Sequence, residues 1–184
     1  MRIVAGTHRG RRLLAPRDNT IRPTADRVRE AMFNILGPLD VPTRVLDLYT
    51  GTGALGLEAL SRGAISALLL DCHPQALAIT RKNIEALELT SRATLLRWNI
   101  AHNLDCLKGW PEIFNLVFMD PPYEGGWVGV TLRHLVSAGV LDAGARVVVE
   151  HGAHEALDLA ELPYRQVDQR RYGKALVAFL AYML

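Results

Sequence analysis

No apolar run in this chain is long enough to cross a membrane: the longest, such as residues 175–184, fall far short of the ~20 that a spanning helix needs. No apolar stretch follows the first arginine either, so no secretory leader is expected. The only cysteines, Cys72 and Cys106, do not make a disulfide framework, which points to a cytoplasmic setting. Repeats, low-complexity stretches and long linkers are also missing. What remains is ordinary globular composition, 49% hydrophobic and 22% charged, in a chain of 184 residues, enough for one buried core.

Net charge is small, +2, but unevenly spread. Residues 1–30 contain no lysine and eight arginines against three acids, an excess of +5, leaving −3 for the rest. Arginine forks match phosphate oxygens, so a basic arm on a mildly acidic body suits a polyanion docked at one end; a merely solvated tail is the alternative.

Residues 2–5 and 11–15 look strand-like around a Gly6-to-Gly10 turn, which predicts a small N-terminal β-hairpin. A helical pattern follows Thr24 through Val28, Met32, Ile35 and Leu36, with Arg27 and Arg29 expected on its exposed side and Gly37-Pro38 as its stop. From residue 44 the chain alternates. Strands are expected at 44–49, 67–70, 93–98, 114–119 and 145–150. Helices are expected at 54–62, 74–89, 103–108 and 127–138. Such alternation implies a parallel sheet with right-handed crossovers, an α/β fold. Residues 164–171 and 175–182, around Tyr172-Gly173-Lys174, read as a C-terminal antiparallel hairpin added to that sheet.

Between the first strand and its helix stands Asp47-Leu48-Tyr49-Thr50-Gly51-Thr52-Gly53-Ala54-Leu55-Gly56. Glycines there let a ligand approach the backbone at the C-terminal sheet edge. Gly51, Gly53 and Gly56 also fit a dinucleotide fingerprint, with Asp71 at ribose distance, so a nicotinamide oxidoreductase or plain nucleotide-binding module competes. Asp47 tilts the reading: a carboxylate ahead of the glycines repels pyrophosphate and suits a cationic cofactor. Asp71 would accept both ribose hydroxyls. Asn99, past the third strand, would meet an adenine edge, or else cap a helix.

Asp120-Pro121-Pro122-Tyr123 follows the fourth strand. Exocyclic nucleobase amines are poor nucleophiles because the lone pair is delocalised into the ring. Two acceptors gripping both N–H bonds, the Asp120 carboxylate and the Pro121 carbonyl, favour a pyramidal amine aimed at an electrophilic methyl. Pro122 fixes the backbone, and Tyr123 offers a ring for an unstacked base. Alone, the tetrapeptide could be a rigid loop exit. Beside the glycine loop at one sheet edge, it reads as a methyl-transfer site.

Together these residues resemble the RsmD family, bacterial methyltransferases acting on guanine N2 of 16S ribosomal RNA. The resemblance runs through residues 1–6 and 10–13, Ile21-Arg22-Pro23-Thr24, residues 26–31 and 46–64, Asp120 to Tyr123, Val149-Glu150-His151 and Tyr172-Gly173. It implies a Rossmann-like class I methyltransferase fold, a seven-stranded mostly parallel sheet, with S-adenosylmethionine as donor. It further implies an RNA-gripping extension over residues 1–20 before a catalytic domain over 21–184, and 16S rRNA or an assembling small subunit as partner. Asp47, Tyr49, Gly51 and Gly53 would line the methionine end of the cofactor, Asp71 the ribose, with Cys72 beside it and given no chemistry, and Asn99 the adenine. Asp120, Pro121, Pro122 and Tyr123 would hold the guanine amine. Arg9, Arg11, Arg12, Arg22, Thr24 and Arg27 would face RNA. One departure stands out: the family's usual Asp-Thr after Tyr-Gly is Lys174-Ala175 here.

His151 and His154 near Glu150 and Glu155 are not read as a metal site, since methyl transfer from a sulfonium needs none. Trp98, Trp110 and Trp127 read as packing or loop-cover residues, with a reservation for Trp127 because it follows the tetrapeptide. The tetrapeptide also permits an amino-methylase acting on adenine N6 or cytosine N4; the absence of a DNA-recognition domain ranks that second.

Overall fold

A computed structural model describes residues 1–16, 26–39, 41–122, 125–155 and 157–184. Helix α1 (Asp26–Leu36) leads into β1 (Arg44–Leu48), α2 (Ala54–Ser61), β2 (Ser66–Asp71), α3 (Pro74–Ala86) and β3 (Ala93–Arg97). A short 3₁₀ turn (Asp105–Leu107) precedes β4 (Phe114–Met119), α4 (Trp127–Ala138), β5 (Leu141–Gly152), β6 (Tyr164–Tyr172) and β7 (Ala175–Tyr182). The strands form one seven-stranded sheet in the order β3-β2-β1-β4-β5-β7-β6. β1 to β5 run parallel, and β7 enters antiparallel between β5 and the edge strand β6. This is the Rossmann-like class I methyltransferase sheet that the sequence led us to expect.

The central strands are apolar along nearly their whole length because both faces are covered. One face carries α1, α2, α3 and the N-terminal arm around Phe33, Leu57, Leu69 and Phe118. The other carries α4 and the 3₁₀ turn around Leu48, Leu107, Leu132 and Val149. Every residue of α2 is buried, as befits a helix without a polar stripe, and its one charge, Glu58, is 0% exposed.

Glu58 explains how the arm is attached. Its Oε2 accepts the Val4 amide at 2.8 Å and Arg29 Nε at 3.3 Å; Oε1 accepts the Ala5 amide at 2.9 Å and Arg62 Nε at 2.8 Å. Arg29, expected on the exposed side of α1, is instead 0% exposed. It bridges Glu58, Asp26 and the Arg2 carbonyl, so its charge is matched inside the protein. The arm folds back antiparallel as expected, but with a single Arg2–Arg12 bridge rather than two regular strands. The Ile3 amide still donates to the Arg11 carbonyl at 2.9 Å and the Leu13 amide to the Met1 carbonyl at 3.1 Å. Further bonds anchor the arm to α2: the Thr7 amide reaches the Ser61 carbonyl at 2.8 Å and the His8 amide reaches Ser61 Oγ at 3.0 Å. Ile3 and Leu13 belong to the main core.

Candidate active site

The chain runs outward from β1 to β3, then returns to the other side of β1 for β4. That reversal opens a crevice at the C-terminal ends of β1 and β4, where open α/β sheets bind ligands. Leu48 is in register with Met119, and the Asp120 amide approaches the Leu48 carbonyl at 3.5 Å. The glycine loop and the tetrapeptide are therefore neighbours. A cavity of about 510 Å³ spans them, within the range of small-molecule sites. It is lined by Asp47, Tyr49, Gly51, Asp71, Cys72 and Asn99 on the β1–β3 side and by Asp120, Pro121 and Pro122 on the β4 side.

The loop is held from below by polar groups of α3. Thr80 Oγ donates to the Gly51 carbonyl at 2.8 Å, and Asn83 Nδ2 donates to the Thr52 carbonyl at 2.9 Å. Asn83 also takes the Leu14 amide on Oδ1 at 2.7 Å, tying the arm to the same loop. Gly53 is required where it stands: φ is +80°, and a Cβ there would lie 2.9 Å from Thr80 Cγ2. Gly53 itself is not among the residues that line the cavity; it lets the loop turn into α2. Tyr49 sits at φ +61°, rare for a bulky residue, and its hydroxyl is hydrogen-bonded to Thr131 of α4 at 2.7 Å.

The two acids organise the loop amides. Asp47 Oδ2 accepts Thr50 Oγ and the Gly56 amide, both at 2.8 Å. Asp71 Oδ2 accepts the Gly51 amide and its Oδ1 the His73 amide, both at 2.9 Å. Glycine amides that would grip a pyrophosphate are thus already given to carboxylates. Burial pushes the Asp47 carboxyl up to about 6, more strongly than its bonds to Thr50 and Gly56 lower it, and the Asp71 charge adds to the rise. Burial likewise raises the Cys72 thiol. Asn99 is exposed at the cavity edge, and the 3₁₀ turn is preceded by Leu104, so Asn99 does not cap it.

Asp120 is half-buried, Pro121 buried and Pro122 exposed. Arg9, Arg11, Arg12 and Arg27 are all exposed, Arg11 donating to the Ala86 carbonyl. Val28, the neighbour of Arg27, lines the cavity. Tyr123, Arg22 and Thr24 lie outside the described residues. Sequence reasoning missed Val28, Ile100, Trp127, Glu150, Tyr172 and Ala175 as cavity walls. Trp127 and Tyr172 had a signal, since each adjoins a motif; Val28 and Ile100 read only as apolar core.

Among the described residues, the grouped metal-type donors are Asp71, Cys72 and His73, within 4.8 Å of one another, rather than His151 and His154. They stand at the C-terminal end of β2, with both Asp71 oxygens bonded to backbone amides.

A family model described as "Conserved hypothetical protein 95" matches residues 1–181. The ribosomal RNA small subunit methyltransferase D of Escherichia coli (strain K12) is 39% identical over 157 residues, covering 85% of this chain and 77% of that one. The protein YlbH of Bacillus subtilis (strain 168) is 34% identical over 151 residues, 82% of each chain. The solved structure of the Escherichia coli protein yhhF superposes with a TM-score of 0.83 at 31% identity, covering 100% of this chain and 98% of the other. The chain therefore belongs to the family of the ribosomal RNA small subunit methyltransferase D proteins, the RsmD family.

Proposed function

We propose that this chain transfers a methyl group from S-adenosylmethionine to the exocyclic N2 amine of a guanine in small-subunit 16S rRNA, free or within an assembling subunit. The observation that carries the reading is one cavity bounded by two carboxylates bracketing a glycine loop and by Asp120 one strand away. The donor set fits the cofactor: Asp47 answers an ammonium or sulfonium charge, Asp71 a ribose diol and Asn99 an adenine edge. The same arrangement disfavours a nicotinamide cofactor, whose pyrophosphate would meet Asp47 and find the Gly51 and Gly56 amides taken.

When bound, the cofactor supplies an electrophilic methyl on a cationic sulfur. The protein's part is orientation and charge. Asp120 and the Pro121 carbonyl accept the two amine hydrogens, which withdraws the lone pair from the ring and points it along the crevice. Asp120 then holds the proton that the methylated amine must lose and yields it to water. Tyr123 supports the base. The arm, residues 1–20 with Arg9, Arg11 and Arg12, joins Arg22, Thr24 and Arg27 in contacting RNA. An rRNA substrate puts the protein in the bacterial cytoplasm; among the described residues, no helix is long and apolar enough to cross a membrane.

The test is incubation of the purified chain with methyl-labelled S-adenosylmethionine and small-subunit rRNA or subunits lacking the modification, followed by nucleoside digestion. Label in N2-methylguanosine is expected. Label in adenine or cytosine keeps the chemistry and overturns the substrate; none in any nucleic acid refutes the reading.

A further inference from the structure

We propose that Trp127 is the aromatic wall against which the target base lies, a base-binding residue of the substrate half of the cavity. The assignment rests on the amine-methylation reading above. Trp127 opens α4 directly behind Gly126, which adopts the left-handed conformation at φ +63°. It lines the same cavity as Asp120, Pro121 and Pro122.

Two features fix how its ring is presented. A Cβ on Gly125 would fall 1.9 Å from the indole Nε1, so only glycine lets the ring fold back onto the loop that follows the tetrapeptide. Thr131, one helical turn on, shares the face of α4 with Trp127 and is hydrogen-bonded to the Tyr49 hydroxyl at 2.7 Å. That bond turns this face of α4 toward the sheet edge and holds the first helical turn against the glycine loop.

Strand order divides the cavity's chemistry. The polar groups suited to the cofactor, on Asp47, Asp71 and Asn99, lie at the ends of β1, β2 and β3. Trp127 stands on the β4 side with Asp120, and adds a broad π face rather than a charge, which suits a flat heteroaromatic base. Trp98 differs: it sits past β3 on the cofactor side, and its Nε1 donates to the Asn103 carbonyl at 2.9 Å, bracing the loop.

The experiment compares Trp127→Ala, Trp127→Leu and Trp127→Phe with the wild type. It measures S-adenosylmethionine affinity by titration, methyl-transfer kinetics on small-subunit rRNA, and thermal melting. Cofactor affinity is expected to stay within about twofold in all three. For RNA, kcat/KM should fall about ten- to a hundredfold in the Ala and Leu variants, the size of one lost base–aromatic stack, and recover largely in the Phe variant. If the Ala variant fails to fold, the Leu and Phe pair decides. A Leu variant as active as the Phe variant would reduce Trp127 to apolar filling and overturn the inference. So would a loss of cofactor affinity matching the loss in RNA turnover. A wild type that labels no guanine refutes the parent reading instead.

Discussion

Asp47 carries a buried negative charge that the folded chain without cofactor would be better off without, and replacing it makes that measurable. The side chain is 2% exposed at the end of β1. Its carboxyl is raised from 3.8 to about 6, chiefly by burial. At 1.36 kcal/mol per unit, holding the charge near neutral pH costs roughly 3 kcal/mol. Between about pH 4 and 6 the native state binds more protons than the unfolded chain, so this contribution favours folding below that window and is lost as pH rises through it. Asp47→Asn keeps an oxygen for the Thr50 hydroxyl and the Gly56 amide while removing the charge. The side chain borders the cavity, so the new amide nitrogen can turn toward water there. The cofactor-free variant should therefore melt several degrees higher than wild type at pH 7.5, at about 2–4 °C per kcal/mol, and the gain should shrink toward pH 4. Binding of S-adenosylmethionine, by calorimetric titration, should weaken tenfold or more in the variant. In wild type it should strengthen as pH rises from 5 to 7. A variant less stable at pH 7.5, or one that binds the cofactor as tightly as wild type, would refute the argument.

Three further outcomes follow from the same structure. Asp120→Ala should lower methyl-transfer turnover by at least about a hundredfold, the range seen when one positioned catalytic hydrogen-bonding group is lost, while cofactor titration is unchanged. Glu58→Ala removes the acceptor shared by Val4, Ala5, Arg29 and Arg62. It leaves a buried guanidinium under-compensated, so calorimetry should show a loss of about 3–5 kcal/mol, and hydrogen exchange should show the arm's amides deprotected. Arg9→Gln with Arg12→Gln should weaken RNA binding and flatten its salt dependence, the log–log slope falling by roughly 0.7–0.9 for each phosphate that is no longer neutralised, with cofactor affinity unaltered.

Much of the architecture was legible because its signals are local. The apolar runs of β1, β2 and β4, the proline opening α3 and the two-residue turn at Gly173-Lys174 each announce an element within a few residues. The two motifs could be placed side by side because the loop order of an α/β sheet puts strand ends together. Features set by distant partners were not legible. Arg29 lies on what reads as a polar face of α1, and its fully buried partner, Glu58, comes 29 residues later in the chain. The arm reads as a hairpin, and Ile3, Gly10 and Leu13 do bond across it, yet the amides of Val4, Ala5, Thr7 and His8 go to Glu58 and Ser61. β5 begins at Leu141, not near residue 145, because Leu141 pairs with Phe114 across a register shift that Asp142-Ala143-Gly144 disguises as a turn. Asn83 and Thr80 look like interruptions of an amphipathic helix; their role as props of the glycine loop appears only when α3 is laid under it.

The most direct test of the central claim is nucleoside mass spectrometry of 16S rRNA from cells that lack their own guanine-N2 enzyme and express either this chain or its Asp120→Ala variant. N2-methylguanosine should return with the wild-type chain and not with the variant. Equal restoration by both, or a methyl group on another base, would contradict it.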